Sequence, residues 1–383
     1  MSHAPQSIAA TSRWPHRLAL ATACATFPLI WVGGLVTTQD AGMAVPDWPN
    51  TYGFNLFLYP WQAWLYGPFD IFIEHGHRLL GATVGFLTIL LLVALWRGEA
   101  RRWVWALGCL ALVAVIAQGG LGGARVLLND RTLAMIHGSF GPAFFCLVVV
   151  LMLVTAPRWQ GDEPPTLSAA TSRVRRLAVL TALLAYAQLL VGANLRHLSL
   201  SAAPAVGRAL AWFHIGLAAV LVWHVVLLAV AASKSGVPGL VRRPAWLLMG
   251  LLVVQPVLGA MTWVFSYGWP LWTEQFGWSA AHTIRAQGLF ESLVITGHQA
   301  TGSLIVATAV ATTLRAWRWL APAGSLSVAS RTAAGATAGL SSSVTSERAG
   351  QDERAVTLPV GRAPSFGLLV GSTSAPSSLE VAR

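Results

Sequence analysis

Charge is what this chain has least of. Only 10% of its 383 residues are Asp, Glu, Lys or Arg, against 55% apolar, and its mean hydropathy is +0.61. A soluble domain carries about a quarter charged residues. A chain this poor in charge cannot cover a globular surface with polar groups, so lipid must be its solvent. Acidic residues are the scarcer sign, 14 against 25 basic, which leaves a formal net charge of +11. The arginines are spread through short loops and a polar tail, the pattern of cytoplasmic loops rather than of a nucleic-acid surface. Cysteine is scarce too. Cys24, Cys109 and Cys146 lie in apolar runs with no partner at disulfide or metal-ligand spacing, and read as small buried hydrophobes. No paired Asp-rich segment of the kind that holds diphosphate through magnesium occurs, which speaks against prenyl transfer.

Long apolar runs are abundant instead. A run of about 20 apolar residues spans a bilayer, and eight occur: Leu18–Val36, Ile71–Trp96, Trp103–Leu121, Thr132–Ala156, Leu177–Leu195, Ala209–Ala232, Pro244–Val264 and Leu289–Leu314. Backbone groups in lipid must pair within their own segment, so an all-α, polytopic membrane protein is predicted. Arg13, Arg17, Arg97, Arg101, Arg102, Arg158, Arg173, Arg175, Arg176, Lys234, Arg242, Arg243, Arg315 and Arg318 fall on one side of these runs. Arg125, Arg131, Arg196, Arg208 and Arg285 fall on the other. The positive-inside rule then puts both termini in the cytoplasm and the protein in the cell inner (cytoplasmic) membrane. The first outer loop, Thr37 to Asp70, is rich in Pro, Trp and Tyr and reads as a lid.

Gln118-Gly119-Gly120-Leu121-Gly122-Gly123 closes the third run and Gln188-Leu189-Leu190-Val191-Gly192-Ala193 the fifth. Gln255-Pro256-Val257-Leu258-Gly259-Ala260 recurs in the seventh. Each precedes an outer loop and then a helix with a histidine near its start. A repeated hairpin follows, arranged as two four-helix bundles related by a pseudo-twofold axis. The predicted divisions are a cytoplasmic N-terminus (1–17), a first bundle (18–160), a second bundle (161–318) and a disordered cytoplasmic tail (319–383).

Of ten histidines, four stand apart: His77, His137, His214 and His298, in the second, fourth, sixth and eighth helices. Each follows a charged residue at its helix mouth (Asp70, Arg131, Arg208, Glu291) by six or seven positions. At 1.5 Å rise per residue, all four lie about 10 Å below the outer helix ends. Polar rings in lipid are costly and mark function. Gly81, Gly141, Gly216 and Gly302 follow them; they would let a flat macrocycle approach the backbone, although close helix packing is the plainer reading. Paired neutral imidazoles on facing helices suit haem iron. A bare metal ion would want carboxylate or thiolate ligands as well.

Glu74 precedes His77 by three residues, on one face of its helix. It is either a first-turn carboxylate favoured by the helix dipole or a group that takes a proton or stabilises a developing cation. Arg78, Arg125 and Arg196, near outer helix ends, suit propionates or simple loop charge equally. His224 reads as a satisfied core histidine. His75, His197 and His282 read as outer-surface residues, with His3 and His16 before the first helix.

Several motifs in order resemble the haem A synthase family. They are Gly33-Gly34-Leu35-Val36, Pro46-Asp47-Trp48-Pro49, Glu74-His75-Gly76-His77-Arg78, Ile136-His137-Gly138, Trp212-Phe213-His214 and Gly297-His298-Gln299-Ala300-Thr301-Gly302. The resemblance covers about residues 18–316 and implies oxidation of a haem O methyl to a formyl group, giving haem A for cytochrome c oxidase. It implies His77 and His137 facing the substrate haem O in the first half, and His214 and His298 ligating a haem B iron in the second. Glu74 matches the family's functionally important acid. Implied partners are haem O and its synthase, an electron donor and cytochrome oxidase assembly factors. Some members carry a loop cysteine pair; Ala44, Val45 and Asn50 stand in that neighbourhood here. Two alternatives remain: a di-haem b-type electron-transfer protein, which would not need Glu74, and a transporter, for which Pro256 would be the one obvious helix break.

Overall fold

A peptide group left unpaired in hydrocarbon is costly, so each apolar run closes its backbone bonds inside a helix. The computed structural model describes residues 12–198, 202–267 and 288–322. In chain order these form α1 (Trp14–Thr38), the short α2 (Trp61–Leu65), α3 (Phe69–Gly98), α4 (Arg102–Leu127) and α5 (Arg131–Val154). The single-turn α6 (Pro157–Gln160), β1 (Thr166–Ser168), α7 (Thr171–Arg196), α8 (Pro204–Ala232), α9 (Gly239–Tyr267), α10 (Leu289–Trp319) and β2 (Leu320–Pro322) follow. Eight of the helices are long and apolar enough to cross a membrane. The fold is that of an all-α, multi-pass membrane protein.

The helices extend a few residues beyond most of the predicted runs. One of these is α8, which starts at Pro204 with its proline in the first turn, where a missing N–H costs nothing. Arg208 therefore lies inside α8 and not at its mouth. Pro256 is no break: α9 runs through both Pro244 and Pro256, and Pro28 and Pro142 sit inside α1 and α5. Trp319 belongs to α10, and Leu320–Pro322 pair in parallel with Thr166–Ser168, so ordered structure passes the predicted tail boundary. The rest of the tail, from residue 323, lies outside the described residues, as do His3, His282 and Arg285. Cys24 is exposed and Cys109 and Cys146 are partly buried; the expected burial holds for none of them fully.

Within the described residues α1, α3, α4 and α5 pack as a ring of four, each against two neighbours, and α7, α8, α9 and α10 form a second ring. The rings meet where α10 lies on α1 and α5. We call the end bearing the loop between α1 and α3 the upper end. Most of the buried apolar side chains, apart from a small upper cluster of Leu35, Val36, Ala41 and Ile73, lie in the lower part. Leu91, Leu95, Val104, Leu151 and Val154 fill the first ring there; Val174, Leu228, Val241, Leu248 and Leu320 fill the second. Lower arginines cap free carbonyls: Arg101 Nη2 donates to Val154 O at 2.8 Å and Arg318 Nη2 to Gly161 O at 2.7 Å. Higher up, a Cβ added at Gly81, Gly119, Gly120, Gly141 or Gly216 would meet nothing within 4 Å. The rings are packed below and open above.

Candidate functional site

The open upper part is where the four histidines stand. His77 on α3 faces His137 on α5, diagonally across the first ring, with ring centroids 6.3 Å apart. His214 on α8 faces His298 on α10 at the same 6.3 Å. The equal separation in two independent rings is the repeat expressed in space.

One device positions all four imidazoles. Each ring lies with its Cε1–Nδ1 edge on a glycine of the preceding long helix: His77 on Gly33, His137 on Gly122, His214 on Gly192, His298 on Gly259. A Cβ at these glycines would approach Cε1 to 2.7, 3.2, 3.0 and 3.0 Å respectively, too close for any side chain without moving the ring. In three of the four hairpins a glutamine four residues before that glycine, on the same helix face, ties down the histidine's own backbone. Gln118, Gln188 and Gln255 Nε2 donate to the carbonyls of His137, His214 and His298 at 3.4, 3.0 and 2.9 Å. In the first hairpin Leu29 takes the glutamine's place. The repeat is legible in the sequence; that it forms a cradle for the next helix's histidine is legible only in the structure.

Of the glycines expected to admit a macrocycle, Gly81 and Gly141 face open space, one turn beyond His77 and His137. Gly302 instead has Gln255 Nε2 3.5 Å from where a Cβ would lie. Gly216 follows His214 by two residues, off the ligand face, and Ala218 holds the matching position. A cleft of about 330 Å³ opens beside the first pair between α4 and α5, lined by Ala114, Ala117, Gln118, Leu121 and Phe140.

Glu74 is buried, with 1% exposure, but its carboxylate turns to the loop. Oε2 accepts the N–H of Val45 at 2.8 Å and Oε1 pairs with Arg78 Nη2 at 3.1 Å. Arg78 in turn donates to the carbonyls of Val45, Asp47 and Asn50 at 2.6 to 2.8 Å. The loop closes over the first ring by this latch and by Trp48, whose indole lies on Gly123. Asp47 shapes the turn, accepting the N–H groups of Tyr52 and Gly53, each at 2.8 Å. His75 is not at the surface: it is 2% exposed, 3.0 Å from Thr51 Oγ1 and packed on Tyr59 and Trp64. The lid hides it.

Arg196 also departs from a loop charge. It joins the two rings, donating to Gln299 Oε1, Gly34 O and Thr38 Oγ1 at 2.8, 2.9 and 2.6 Å. His197 beside it is partly buried, near Gly138 of α5. Burial and the charges of Arg196, Arg125 and Arg131 push its imidazole down to about 4. His224 bonds the carbonyl of Val220 in its own helix at 3.0 Å, and His16 that of Met152 at 3.0 Å; both are satisfied locally.

On each of the four cradled histidines Nδ1 is buried against the glycine side, which leaves Nε2 as the nitrogen for a metal. Metal–imidazole bonds of about 2 Å on either side of one ion would set ring centres about 6 Å apart, which is the spacing of both pairs. Among the described residues no group of three or more His, Cys, Asp or Glu surrounds a common point. The donor set is therefore two imidazoles, which suits an iron whose remaining ligands come from a macrocycle. At His214 the amide of Gln188 lies 3.1 Å from Nε2 and would give up that contact to a metal.

The sequence matches the COX15-CtaA family model, described as cytochrome oxidase assembly protein, over residues 16–206. The chain belongs to that family. Similar curated proteins include the heme A synthase of Symbiobacterium thermophilum, 32% identical over 197 residues, covering 48% of this chain and 58% of that protein. The heme A synthase of Halalkalibacterium halodurans is 26% identical over 168 residues, covering 43% and 53%. The chain thus spans about half the length of the curated relatives it matches. In this COX15-CtaA member the family match ends at residue 206, before His214 and His298. What joins the second pair to the first is the repeated geometry.

Proposed function

We propose that the chain is a haem A synthase, oxidising a methyl group of haem O to a formyl group for cytochrome c oxidase. The observation that carries this reading is the pair of diagonal histidine couples, each 6.3 Å apart and each cradled on glycines in an open upper ring. The names of the two curated relatives support the reaction. In this reading His77 and His137 hold the substrate haem O, and His214 and His298 hold a resident haem B; bound there, the haem B supplies one-electron chemistry. The chain's own groups do the rest. Cradled imidazoles fix the position of the macrocycle, and the latched loop excludes water above the first pair. Glu74 holds a carboxylate in a dry pocket beneath that loop, where charge is strongly felt.

The haem O synthase, an electron donor and oxidase assembly factors are the partners this function implies. The arginine distribution supports a cytoplasmic-membrane location with both termini inside. Reporter fusions after Gly161 should then read cytoplasmic and one after Arg196 external; the reverse overturns the orientation.

The deciding experiment is a visible spectrum of the purified protein with chromatography of its extracted haem, before and after supplying haem O and a reductant. The expected result is a low-spin haem B signal lost in His214→Ala and His298→Ala, and haem A formed by the parent but not by His77→Ala. A parent that binds haem yet never forms haem A overturns the enzyme assignment.

A further inference from the structure

We infer that Arg196 is a positioning residue that holds a fixed positive charge beside the second histidine pair and so raises the reduction potential of an iron bound there. This rests on the assignment of haem iron to His214 and His298. The guanidinium ends α7 and reaches inward to three acceptors, Gln299 Oε1, Gly34 O and Thr38 Oγ1. Gln299 is the residue after His298, so the charge stands about one side chain from an iron ligand.

All three acceptors are neutral, and among the described residues no carboxylate pairs with Arg196; the ion pairs there are Arg78–Glu74, Arg101–Glu99 and Arg158–Glu163. Neutral acceptors satisfy the N–H groups without cancelling the charge. A charge drawn inward without a counter-ion is costly, and joining the two rings does not require one. The same seam is bridged by neutral pairs beside it, Gln39 Nε2 on Ser292 Oγ at 2.5 Å and Thr38 Oγ1 with Thr296 Oγ1 at 3.2 Å. At the first pair Arg78 is matched by Glu74, and Arg125 is a second cation close enough to act on His77 and His137.

The direction follows from charge. Ferric iron carries one more positive charge than ferrous, so an adjacent cation disfavours oxidation. A unit charge within about 10 Å, at an effective dielectric near 20, shifts such an equilibrium roughly tenfold. The backbone route is short: Gly33 backs His77 while its neighbour Gly34 packs on Thr296 and Gln299 and accepts from Arg196. One turn of α1 thus separates the two sites, and Arg196 is bonded to it.

The test is a redox titration of the low-spin haem signal in the full-length protein purified without haem O. Three variants are compared with the parent: Arg196→Gln, Arg196→Lys and Gln299→Glu. Removing the charge and neutralising it in place should act alike. Arg196→Gln and Gln299→Glu are expected to show a ferrous-to-ferric ratio about tenfold lower at the parent's midpoint, a shift of about 59 mV to lower potential. Arg196→Lys, which keeps the charge, should stay near the parent. A merely structural bridge predicts instead that lysine fails as badly as glutamine. If both charge-cancelling variants titrate with the parent, the inference is wrong and the haem assignment stands. If the signal survives in His214→Ala and His298→Ala, both fall together. Should Arg196→Gln fail to accumulate, Gln299→Glu decides alone, because it leaves the guanidinium and its contacts in place.

Discussion

Gly33 and His77 touch across the α1–α3 interface so closely that one added methyl would stand 2.7 Å from the imidazole Cε1. The glycine is therefore the wall against which the ring's position is set, and α1 contributes to the first site without offering it a side chain. Gly33→Ala should push His77 off its axis with His137. Overpacking of this kind costs about 1–3 kcal/mol, and the larger effect should be on the site: loss of a six-coordinate low-spin spectrum when haem is added, with the second pair's signal intact. A Gly33→Ala protein with both signals unchanged would mean that the ring's place is set elsewhere.

Gly81 and Gly141 should behave oppositely. Nothing lies within 4 Å of a Cβ at either, and glycine inside a helix is less favourable than most residues by up to about 1 kcal/mol. Gly81→Leu and Gly141→Leu are expected to leave the melting temperature of the haem-free protein unchanged or raised, while blocking haem uptake at the first pair. Normal uptake in both would show that the open space is lipid-facing and not the macrocycle's seat.

The sequence made the helices legible because lipid leaves the backbone no alternative, and the histidines legible because polar rings in apolar runs stand out. Periodicity at the helix mouths also exposed the Gln-x-x-x-Gly repeat. What stayed hidden were relations between helices. Nothing local says that Gly192 faces His214, that Arg196 bonds across to Gln299, or that the loop folds back to bury His75. Glu74 shows the limit best. Its spacing puts it near the face of His77, yet which neighbour takes its carboxylate depended on where a loop some 30 residues upstream comes to rest.

That loop is held by a titratable turn. Partial burial alone would raise the Asp47 carboxyl, but the N–H groups of Gly53 and Tyr52 and the charge of Arg78 outweigh it and hold the group below its usual 3.8. A carboxyl depressed on folding gives stability that is present above its unfolded value and lost as pH falls through its folded value. The turn should therefore hold at neutral pH and loosen below about pH 3.8. Amide exchange at Tyr52 and Gly53, corrected for intrinsic rates, should rise there, and Asp47→Asn should show the same rise at neutral pH. Protection that is flat with pH and indifferent to the substitution would assign the turn to other contacts.

Glu74 does two things in this structure that a single substitution can separate. Its Oε2 accepts from Val45 N–H and its Oε1 pairs with Arg78, so it latches the lid; it also keeps a buried anion one helical turn before His77 in α3. Glu74→Gln retains an oxygen for Val45 but removes the charge. Arg78 keeps three loop carbonyls, so the latch should survive in part and exchange in residues 44–50 should rise only modestly. Loss of one preorganised charge at a reacting centre costs about 10² to 10³ in rate. The expected outcome is haem A formation reduced on that scale, with the low-spin signal of the second pair unchanged. The control is Asp47→Asn, which loosens the same loop without touching the buried anion. If Asp47→Asn lowers haem A formation as much as Glu74→Gln, the carboxylate acts only through the lid. If Glu74→Gln forms haem A at the parent rate, the buried charge plays no part in the chemistry. Loss confined to Glu74→Gln, with the loop still protected, would place the requirement on the anion itself.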